Sequence, residues 1–258
     1  MTLSPPLLPP PSIQTHIEGK TCIRDTMGST PAQVYKYSDG STTLFLKVSP
    51  RSEKGKREYD VLKWLEDKLP VPRVIEFEET NDFSWLLMTA VQGEMMCNDI
   101  GITEPKELTF SILADAVKLL RSVDITSCPF DRTIATLKTE VDDYAKEGKI
   151  TPDTVQTLFN KPPTEELVFS HGDCCLPNIL MHQGILSGFI DLGDAGVADK
   201  WADLSQVVAS IKRNGGDQRD IDLFFEYLNE TPDWEKMQFF RDIEHAVHAV
   251  INQERAMN

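Results

Sequence analysis

The hydrophobic pattern of this chain changes near residue 90, and that change limits the folds that the chain can adopt. Before it, apolar and polar residues alternate with a period of two, as in Ala32–Tyr37 and Thr43–Val48, which is typical of strands. After it, apolar residues recur with a period near three and a half, as in Pro105–Val123, which is typical of helices. At 258 residues the chain is long enough for one large domain or two lobes. We therefore expect an α+β protein in which strands precede helices.

The same patterns predict the individual elements. Strands are expected from Ile23 to Val48, with the small-residue loop Met27–Pro31 between the first two. The turn pair Asp39–Gly40 joins Ala32–Tyr37 to Thr43–Val48 as a hairpin, and a second hairpin is expected around Thr80–Asp82. A helix is expected over Lys56–Lys68, ended by Pro70. Further helices are predicted over Pro105–Val123, Thr133–Lys146, Trp201–Ile211, Ile221–Leu228 and Pro232–His248.

Composition excludes several classes of partner. The formal net charge is −15, which argues against a nucleic-acid partner because phosphate binding requires clustered Lys and Arg. The same charge is compatible with a polycationic substrate. No segment approaches the roughly eighteen uninterrupted apolar residues of a membrane span, so no membrane partner is expected.

Segment 1–12 contains five prolines. It lacks the basic start, the continuous apolar run and the small-residue cleavage site of a signal peptide. We expect a proline-rich tail, either without a partner or bound by a proline-recognition domain.

The five cysteines are odd in number and show no C-x-x-C spacing. We expect reduced thiols in a cytoplasmic protein. Cys174 and Cys175 lie inside the motif described next, where they are either small packing residues or candidates for a nucleophile.

The stretch His171–Asn178, followed by Phe189–Gly193, gives the strongest indication of chemistry. It contains Asp173, then Asn178 five residues later and Asp191 eighteen residues after the first aspartate. Phosphoryl transfer requires a carboxylate that accepts the proton of the attacking hydroxyl, and oxygen ligands that hold Mg²⁺. The same aspartate-to-asparagine spacing occurs in the catalytic loop of protein kinases. From spacing alone, a loop aspartate with a structural role remains the alternative.

A lysine in an otherwise apolar strand is the second indication. Lys47 needs a partner if its ammonium is buried, and the following helix offers Glu58 near its start. The alternative is an exposed lysine on an edge strand.

Several runs of the sequence together resemble the aminoglycoside 3'-phosphotransferases, which share the protein-kinase fold. The resemblance extends from roughly Arg24 to Phe240. It is carried by Val168–Ile179, Leu186–Gly193, Gly196–Asp203, Leu69–Val74 and Pro232–Lys236.

The resemblance implies a two-lobed fold, with a small antiparallel β lobe that binds nucleotide over about 13–90 and a larger helical lobe for catalysis and substrate over 91–258. It implies ATP and Mg²⁺ as cofactors, with Asp173 as the catalytic base and Asp203 as its structural support. His171 is assigned to supporting the loop through hydrogen bonds. The residues implied for Mg²⁺ are Asn178 and Asp191, and those implied for nucleotide are Lys47 paired with Glu58, Ser29, Thr30, Phe45, Thr89 and Val91.

The implied substrate is a cationic aminoglycoside bound by acidic side chains, with the chain acting as a monomer or weak dimer. The candidate ammonium ligands are Glu140, Asp142, Asp143, Asp194 and Glu244. One departure is that the family usually has an arginine after Asp191-Leu-Gly, whereas this chain has Asp194. Two alternatives remain: a kinase of the same fold that acts on another small hydroxylated or amine-bearing metabolite, and a catalytically silent nucleotide-binding scaffold.

Overall fold

A computed structural model describes residues 8–25, 32–98 and 105–257. The predicted nucleotide-loop residues Ser29 and Thr30 lie outside the described residues. Contacts between Cα atoms divide the chain into two compact units. The first contains residues up to Gln92 together with Ser187–Gly193, and the second contains Gly93–Leu186 together with the residues from Asp194 onward.

The first unit is built on an antiparallel sheet. The elements of the unit are helix α1 (Pro11–Ile17), strands β1 (Thr21–Asp25), β2 (Gln33–Ser38) and β3 (Thr43–Pro50), helix α2 (Glu53–Leu65), and strands β4 (Val74–Glu79) and β5 (Phe83–Thr89). In the described residues the strands have the spatial order β1-β2-β3-β5-β4. Asp39 shapes the β2–β3 turn, because its Oδ1 accepts the backbone N–H groups of Ser41 and Thr42.

The two faces of strand β3 have different roles, as period-two alternation requires. Leu44, Leu46 and Val48 are buried in a core that also contains Ile13 and Ile17 of α1. Phe45 and Lys47 lie on the other face. Leu86 of β5 pairs with Lys47, and Phe77 of β4 pairs with Leu86, so both lie on that face as well. Phe77 stacks on Tyr59 of α2 with ring centroids 4.5 Å apart.

Helix α1 begins within the segment expected to be a proline-rich tail. Pro11 occupies the first turn, where its fixed φ suits a helix and its missing N–H costs nothing. Ile13 is fully buried, and Ile17 follows one turn later on the same face. The tail expectation therefore does not hold for Pro11 and Ser12, because two buried isoleucines anchor their helix to the sheet.

Ser187–Gly193 belongs to the first unit although it lies far from it in the sequence. The backbone N–H of Phe189 donates to the carbonyl of Pro70 at 2.9 Å, and Arg57 Nε donates to the carbonyl of Gly193 at 3.0 Å. A Cβ on Gly188 would lie 2.3 Å from the Pro70 oxygen, so glycine is needed there. Sequence patterns placed this segment in the helical lobe, and these long-range contacts are what place it elsewhere.

The second unit is mainly helical, and the predicted α+β class is confirmed. The elements of this unit are β6 (Glu94–Met95), α3 (Lys106–Arg121), α4 (Ile134–Lys146), α5 (Pro152–Leu158), β7 (Leu167–Ser170), β8 (Ile179–His182), β9 (Ile185–Phe189), β10 (Gly196–Asp199), α6 (Lys200–Arg213), α7 (Gln218–Leu228) and α8 (Trp234–Met257). The last residues of β9 belong to the first unit. Among the described residues, β7 pairs antiparallel with β10, and a second small sheet has the order β6-β8-β9.

The predicted helices are confirmed with small shifts at their ends, except that α8 continues to Met257 where the prediction ended at His248. Helix α5 was not predicted. Thr151 caps it by accepting the N–H of Thr154, and Pro152 occupies its first turn. Among the residues that the structure describes, no helix has both the length and the apolar character that crossing a membrane requires.

Candidate active site

The segment 171–178 connects β7 to β8, and one aspartate of α6 fixes its start. Asp203 is 4% exposed and accepts three hydrogen bonds. Its donors are Ser170 Oγ at 2.7 Å, the N–H of His171 at 2.9 Å and the N–H of Gly172 at 3.1 Å. A carboxylate that accepts several N–H and O–H bonds holds the backbone in one arrangement. These bonds are those expected of a residue that supports this segment.

Two further residues of α6 continue this support. Gln206 Oε1 accepts the N–H of Cys174 at 2.8 Å, while Gln206 Nε2 donates to the carbonyl of Gly172 at 2.9 Å. Ser210 Oγ accepts the N–H of Leu176 at 3.0 Å. Asp203, Gln206 and Ser210 are spaced by one turn each, so they lie on one face of the helix.

Sequence reasoning found Asp203 but missed Gln206 and Ser210. Leu204, Val207 and Ile211 indicate that α6 is largely buried. The signal for Gln206 and Ser210 was therefore a row of polar residues on a helix that should be mostly apolar. That row indicates buried polar partners, but the sequence does not say which segment supplies them.

Asp173 and Asn178 lie together. Asn178 Nδ2 donates to Asp173 Oδ2 and to the Asp173 carbonyl, each at 2.9 Å. The turn of 3₁₀ helix Leu176–Asn178 brings the amide back toward the aspartate. Because the amide nitrogen is used in this way, the amide oxygen of Asn178 is the atom that can bind a cation.

Gly172 allows the chain to turn sharply before Asp173. Its φ is +80°, and a Cβ at this position would lie 2.1 Å from the carbonyl oxygen of Asp194. The backbone at Asp194 therefore packs against segment 171–178, and no residue with a side chain fits at 172 without a shift.

His171 is fully buried, and its Nδ1 accepts the N–H of Asp173 at 3.3 Å. This contact fits a supporting role. Burial raises the pKa of the Cys174 thiol well above its ordinary value, and burial together with the nearby Asp173 carboxylate raises the pKa of Cys175 to about 12. Both thiols are thus neutral near pH 7, which argues against the nucleophile interpretation. All five cysteines lie in the described part of the chain, and none forms a disulfide.

In the first unit, Lys47 contacts two carboxylates. Its Nζ lies 2.7 Å from Glu58 Oε2 and 2.7 Å from Asp191 Oδ1. Burial disfavours the charged ammonium, but Glu58 and Asp191 outweigh burial and raise the pKa of Lys47 above its usual value. Asp191 has a φ of +59°, an uncommon conformation for a residue other than glycine. The lysine is therefore a fixed cation between a buried glutamate and a half-exposed aspartate.

Of the residues expected to contact adenine, Phe45 lies on β3, Thr89 ends β5 and Val91 follows β5. Phe45 is half-buried two positions before Lys47 on β3, so both side chains share one face. Thr89 ends β5, and its N–H already donates to the carbonyl of Arg73 at 2.9 Å. Only the carbonyl of Thr89 is thus a candidate for adenine. Val91 follows in irregular backbone.

The acids expected to bind substrate ammonium groups are mostly paired with basic side chains of the chain itself. Asp194 is exposed. Helices α4, α5 and α8 pack through a shared core that includes Val141 and Ile243. The acids of α4 and Glu244 of α8 therefore lie on helices that pack together. The pairs are Glu140 with Arg132 at 3.1 Å, Asp142 with Lys138 at 2.6 Å, Asp143 with Lys146 at 2.7 Å, and Glu244 with Arg241 at 2.6 Å.

The sequence and the fold are both similar to known phosphotransferases. The profile of the phosphotransferase enzyme family matches residues 24–240. An aminoglycoside 3'-phosphotransferase of Enterococcus faecalis is 36% identical over 250 residues, covering 89% of this chain and 95% of that protein.

Two solved structures are also similar. A crystal structure of an aminoglycoside 3'-phosphotransferase of type VIII superposes with a TM-score of 0.78 at 25% identity, covering 91% of this chain and 96% of that one. An aminoglycoside phosphotransferase from Streptomyces rimosus, in complex with ADP and streptomycin, shares the fold with a TM-score of 0.72 at 23% identity and the same coverage of 91% and 96%.

Proposed function

This chain belongs to the phosphotransferase enzyme family, and we propose that it transfers the γ-phosphate of ATP to the 3'-hydroxyl of kanamycin- and neomycin-type aminoglycosides. The observation that carries the proposal is the fixed pair of Asp173 and Asn178, in which one amide holds both the carboxylate and the carbonyl of the aspartate. Modification of the antibiotic would confer resistance.

Asp173 acts as the general base. Its carboxylate is half-buried and is held on one oxygen by Asn178, so it can orient an acceptor hydroxyl. The hydroxyl proton passes to the carboxylate as the hydroxyl oxygen forms a bond to the γ-phosphorus. The bond between that phosphorus and the bridging oxygen breaks, and ADP leaves with the electron pair.

Lys47 holds the α- and β-phosphates through its charge, and Glu58 keeps the ammonium in place from α2. Phe45, on the same face of β3, stacks on adenine. The carbonyl of Thr89 and the N–H of Val91 accept from and donate to the adenine edge. Ser29 and Thr30 contact the phosphates in this proposal.

The oxygen donors of Asn178 and Asp191 suit Mg²⁺, which prefers carboxylate, amide and water oxygens. The described residues contain no group of three or more His, Cys, Asp or Glu side chains that could hold a metal. Magnesium in nucleotide enzymes usually takes one or two protein ligands and completes its shell with phosphates and water. When bound, it neutralises charge on the phosphates.

Asp194 and the acids of α4 and α8 are the proposed ammonium ligands. We place the activity in the cytoplasm, where ATP is available and thiols remain reduced. A kinase that acts on another amine-bearing metabolite is the second candidate. It is favoured by the internal pairing of Glu140, Asp143 and Glu244 and by the aspartate at 194.

The test is a coupled ADP-release assay with ATP and Mg²⁺, comparing kanamycin with tobramycin, which lacks the 3'-hydroxyl. Turnover with kanamycin alone is expected. Equal release with both would mean another hydroxyl or idle ATP hydrolysis. Release with neither would overturn the aminoglycoside assignment and favour the metabolite kinase.

A further inference from the structure

Gln206 contacts the backbone on both sides of Asp173. Its Oε1 accepts the N–H of Cys174, and its Nε2 donates to the carbonyl of Gly172. A primary amide is a side chain that can accept and donate in one plane. The two bonds form a bridge from helix α6 to the catalytic segment.

The two bonded groups belong to the two peptide units that flank the Asp173 Cα. The Gly172 carbonyl is part of the peptide unit before Asp173, and the Cys174 N–H is part of the unit after it. Since each peptide unit is planar, holding both units fixes φ and ψ of Asp173 and hence the direction of its Cα–Cβ bond. Asp203 and Ser210 hold other amides, namely those of His171, Gly172 and Leu176.

We infer that Gln206 is a positioning residue for phosphoryl transfer, which it serves by fixing the backbone of Asp173 through these two bonds. The inference rests on the proposed function of Asp173 as the base. Misplacing a reacting group by about 1 Å can cost roughly 100-fold in rate. Removal of the bridge is therefore expected to lower kcat about 10- to 100-fold and to leave KM for ATP and acceptor within about twofold.

The test compares Gln206→Leu, which keeps the size and loses both bonds, with Gln206→Ala, which removes the amide group. The control is Ser205→Ala, because Ser205 is buried on the same helix but donates to the Ala202 carbonyl within α6. Thermal unfolding is measured for all variants. A fall in kcat is expected for both Gln206 variants and not for the control.

Chemical rescue separates positioning from general packing. Acetamide is the group that Gln206→Ala removes, so added acetamide is expected to restore part of kcat in this variant and to leave Gln206→Leu unchanged. N,N-Dimethylacetamide has no N–H donor and should fail to rescue. Unchanged kcat in both variants, or a loss expressed only in KM, would overturn the inference, and so would equal rescue by the two amides.

A readout independent of turnover is hydrogen exchange at the Cys174 amide, which should be faster in Gln206→Leu than in wild type or Ser205→Ala. Unchanged exchange would mean that Gln206 does not hold the Cys174 amide. The same kcat comparison is made for ADP release without acceptor. Wild-type protein that ignored every aminoglycoside would overturn the proposed function, while exchange and acceptor-free release would still decide the role of Gln206.

Discussion

Asn178, five residues away, helps to orient the Asp173 carboxylate. Asn178 donates from one nitrogen to two oxygens of Asp173, so the carboxylate, its own carbonyl and the amide form a compact unit. Hydrogen bonds to a charged acceptor are stronger than those between neutral groups, so this contact restricts the rotation of the side chain. The arrangement fits a base that must meet a hydroxyl in one direction.

Replacing Asp173 with Asn should lower kcat by about 100- to 10,000-fold, because an amide cannot accept the hydroxyl proton. Its oxygen can still accept from Asn178, so the unfolding temperature should change little. Steady-state kinetics and thermal unfolding check both expectations. Asp153→Asn is the matched control, because Asp153 is exposed at the start of α5. Residual activity near wild type would mean that Asp173 is not the base.

Lys47 should matter for stability as well as activity. Glu58 is 5% exposed, and the variant Lys47→Met takes the ammonium away from its carboxylate. Removing one partner of a buried ion pair lowers the free energy of unfolding by about 3–5 kcal/mol. The double variant Lys47→Met/Glu58→Gln should regain part of that stability but none of the ATP-dependent activity. Urea unfolding and ADP release measure the two effects.

The control for Lys47 is Lys36→Met, since Lys36 is exposed on β2 of the same sheet. It should change neither property. If the double variant were no more stable than Lys47→Met, the ion pair would not be the source of the loss.

At the scale of elements, helix α6 holds segment 171–178, which contains the proposed base Asp173, through hydrogen bonds. Its N-cap Asp199 accepts the N–H of Trp201 at 2.8 Å and also the N–H of Glu166 at 2.7 Å, just before β7. One face of α6 then hydrogen-bonds segment 171–178, which follows β7, through Asp203, Gln206 and Ser210. The helix and its N-cap therefore hold both ends of β7, and their hydrogen bonds fix the backbone of segment 171–178.

Gly172 provides a test of the tight packing between this segment and Asp194. Gly172→Ala should lose about 1–2 kcal/mol from its positive φ and about 1–3 kcal/mol more from the clash with the Asp194 carbonyl. Gly148→Ala is the control, because Gly148 has a φ of +74° and nothing within 4 Å of a Cβ. Urea unfolding should show the larger loss at 172. Equal losses would mean that the clash is relieved by a small shift.

Glu166 links β7 to α6 and α8. Hydrogen bonds from Lys200 and Lys236 lower the pKa of Glu166 to about 2. A depressed carboxyl pKa stabilises the fold above the unfolded value near 4.5, and that stabilisation is lost as pH falls toward 2. The side chain is 53% exposed, so solvent screening limits the effect to about 0.5–1 kcal/mol.

Glu166→Gln should accordingly be less stable than wild type at pH 7, and the difference should shrink between about pH 5 and pH 2. Urea unfolding across this range measures it. Glu147→Gln, which alters an exposed pair with Lys149, serves as the control. A difference that stayed constant with pH would not come from the charge of Glu166.

At the scale of the whole molecule, the net charge of −15 favours the approach of a polycation. The KM for kanamycin should therefore rise with ionic strength, because salt screens attraction between exposed charges. The increase should be steeper for acceptors with more ammonium groups. Steady-state kinetics at several salt concentrations, with a neutral osmolyte as control, check this. KM values that do not depend on salt would contradict ammonium recognition by charge.

Three features could be predicted from the sequence: the α+β class, the strand alternation that puts Phe45 and Lys47 on one face, and the motif of Asp173 and Asn178. These features depend on local periodicity and short spacing, which the chain order fixes. The residues also offered Glu58, near the start of the following helix, as the partner of Lys47, and the family resemblance implied the same pair.

Which distant residues meet depends on the tertiary structure. Gln206 and Ser210 reach segment 171–178 across more than thirty residues of sequence. Gly172 lies against the Asp194 carbonyl, and Arg57 donates to the Gly193 carbonyl in the first unit. The pairing of Glu140 with Arg132 could not be predicted from the sequence either, because Arg132 precedes α4 and Glu140 lies within it. Such contacts depend on how packed elements align in space, and local pattern carries no information about that alignment.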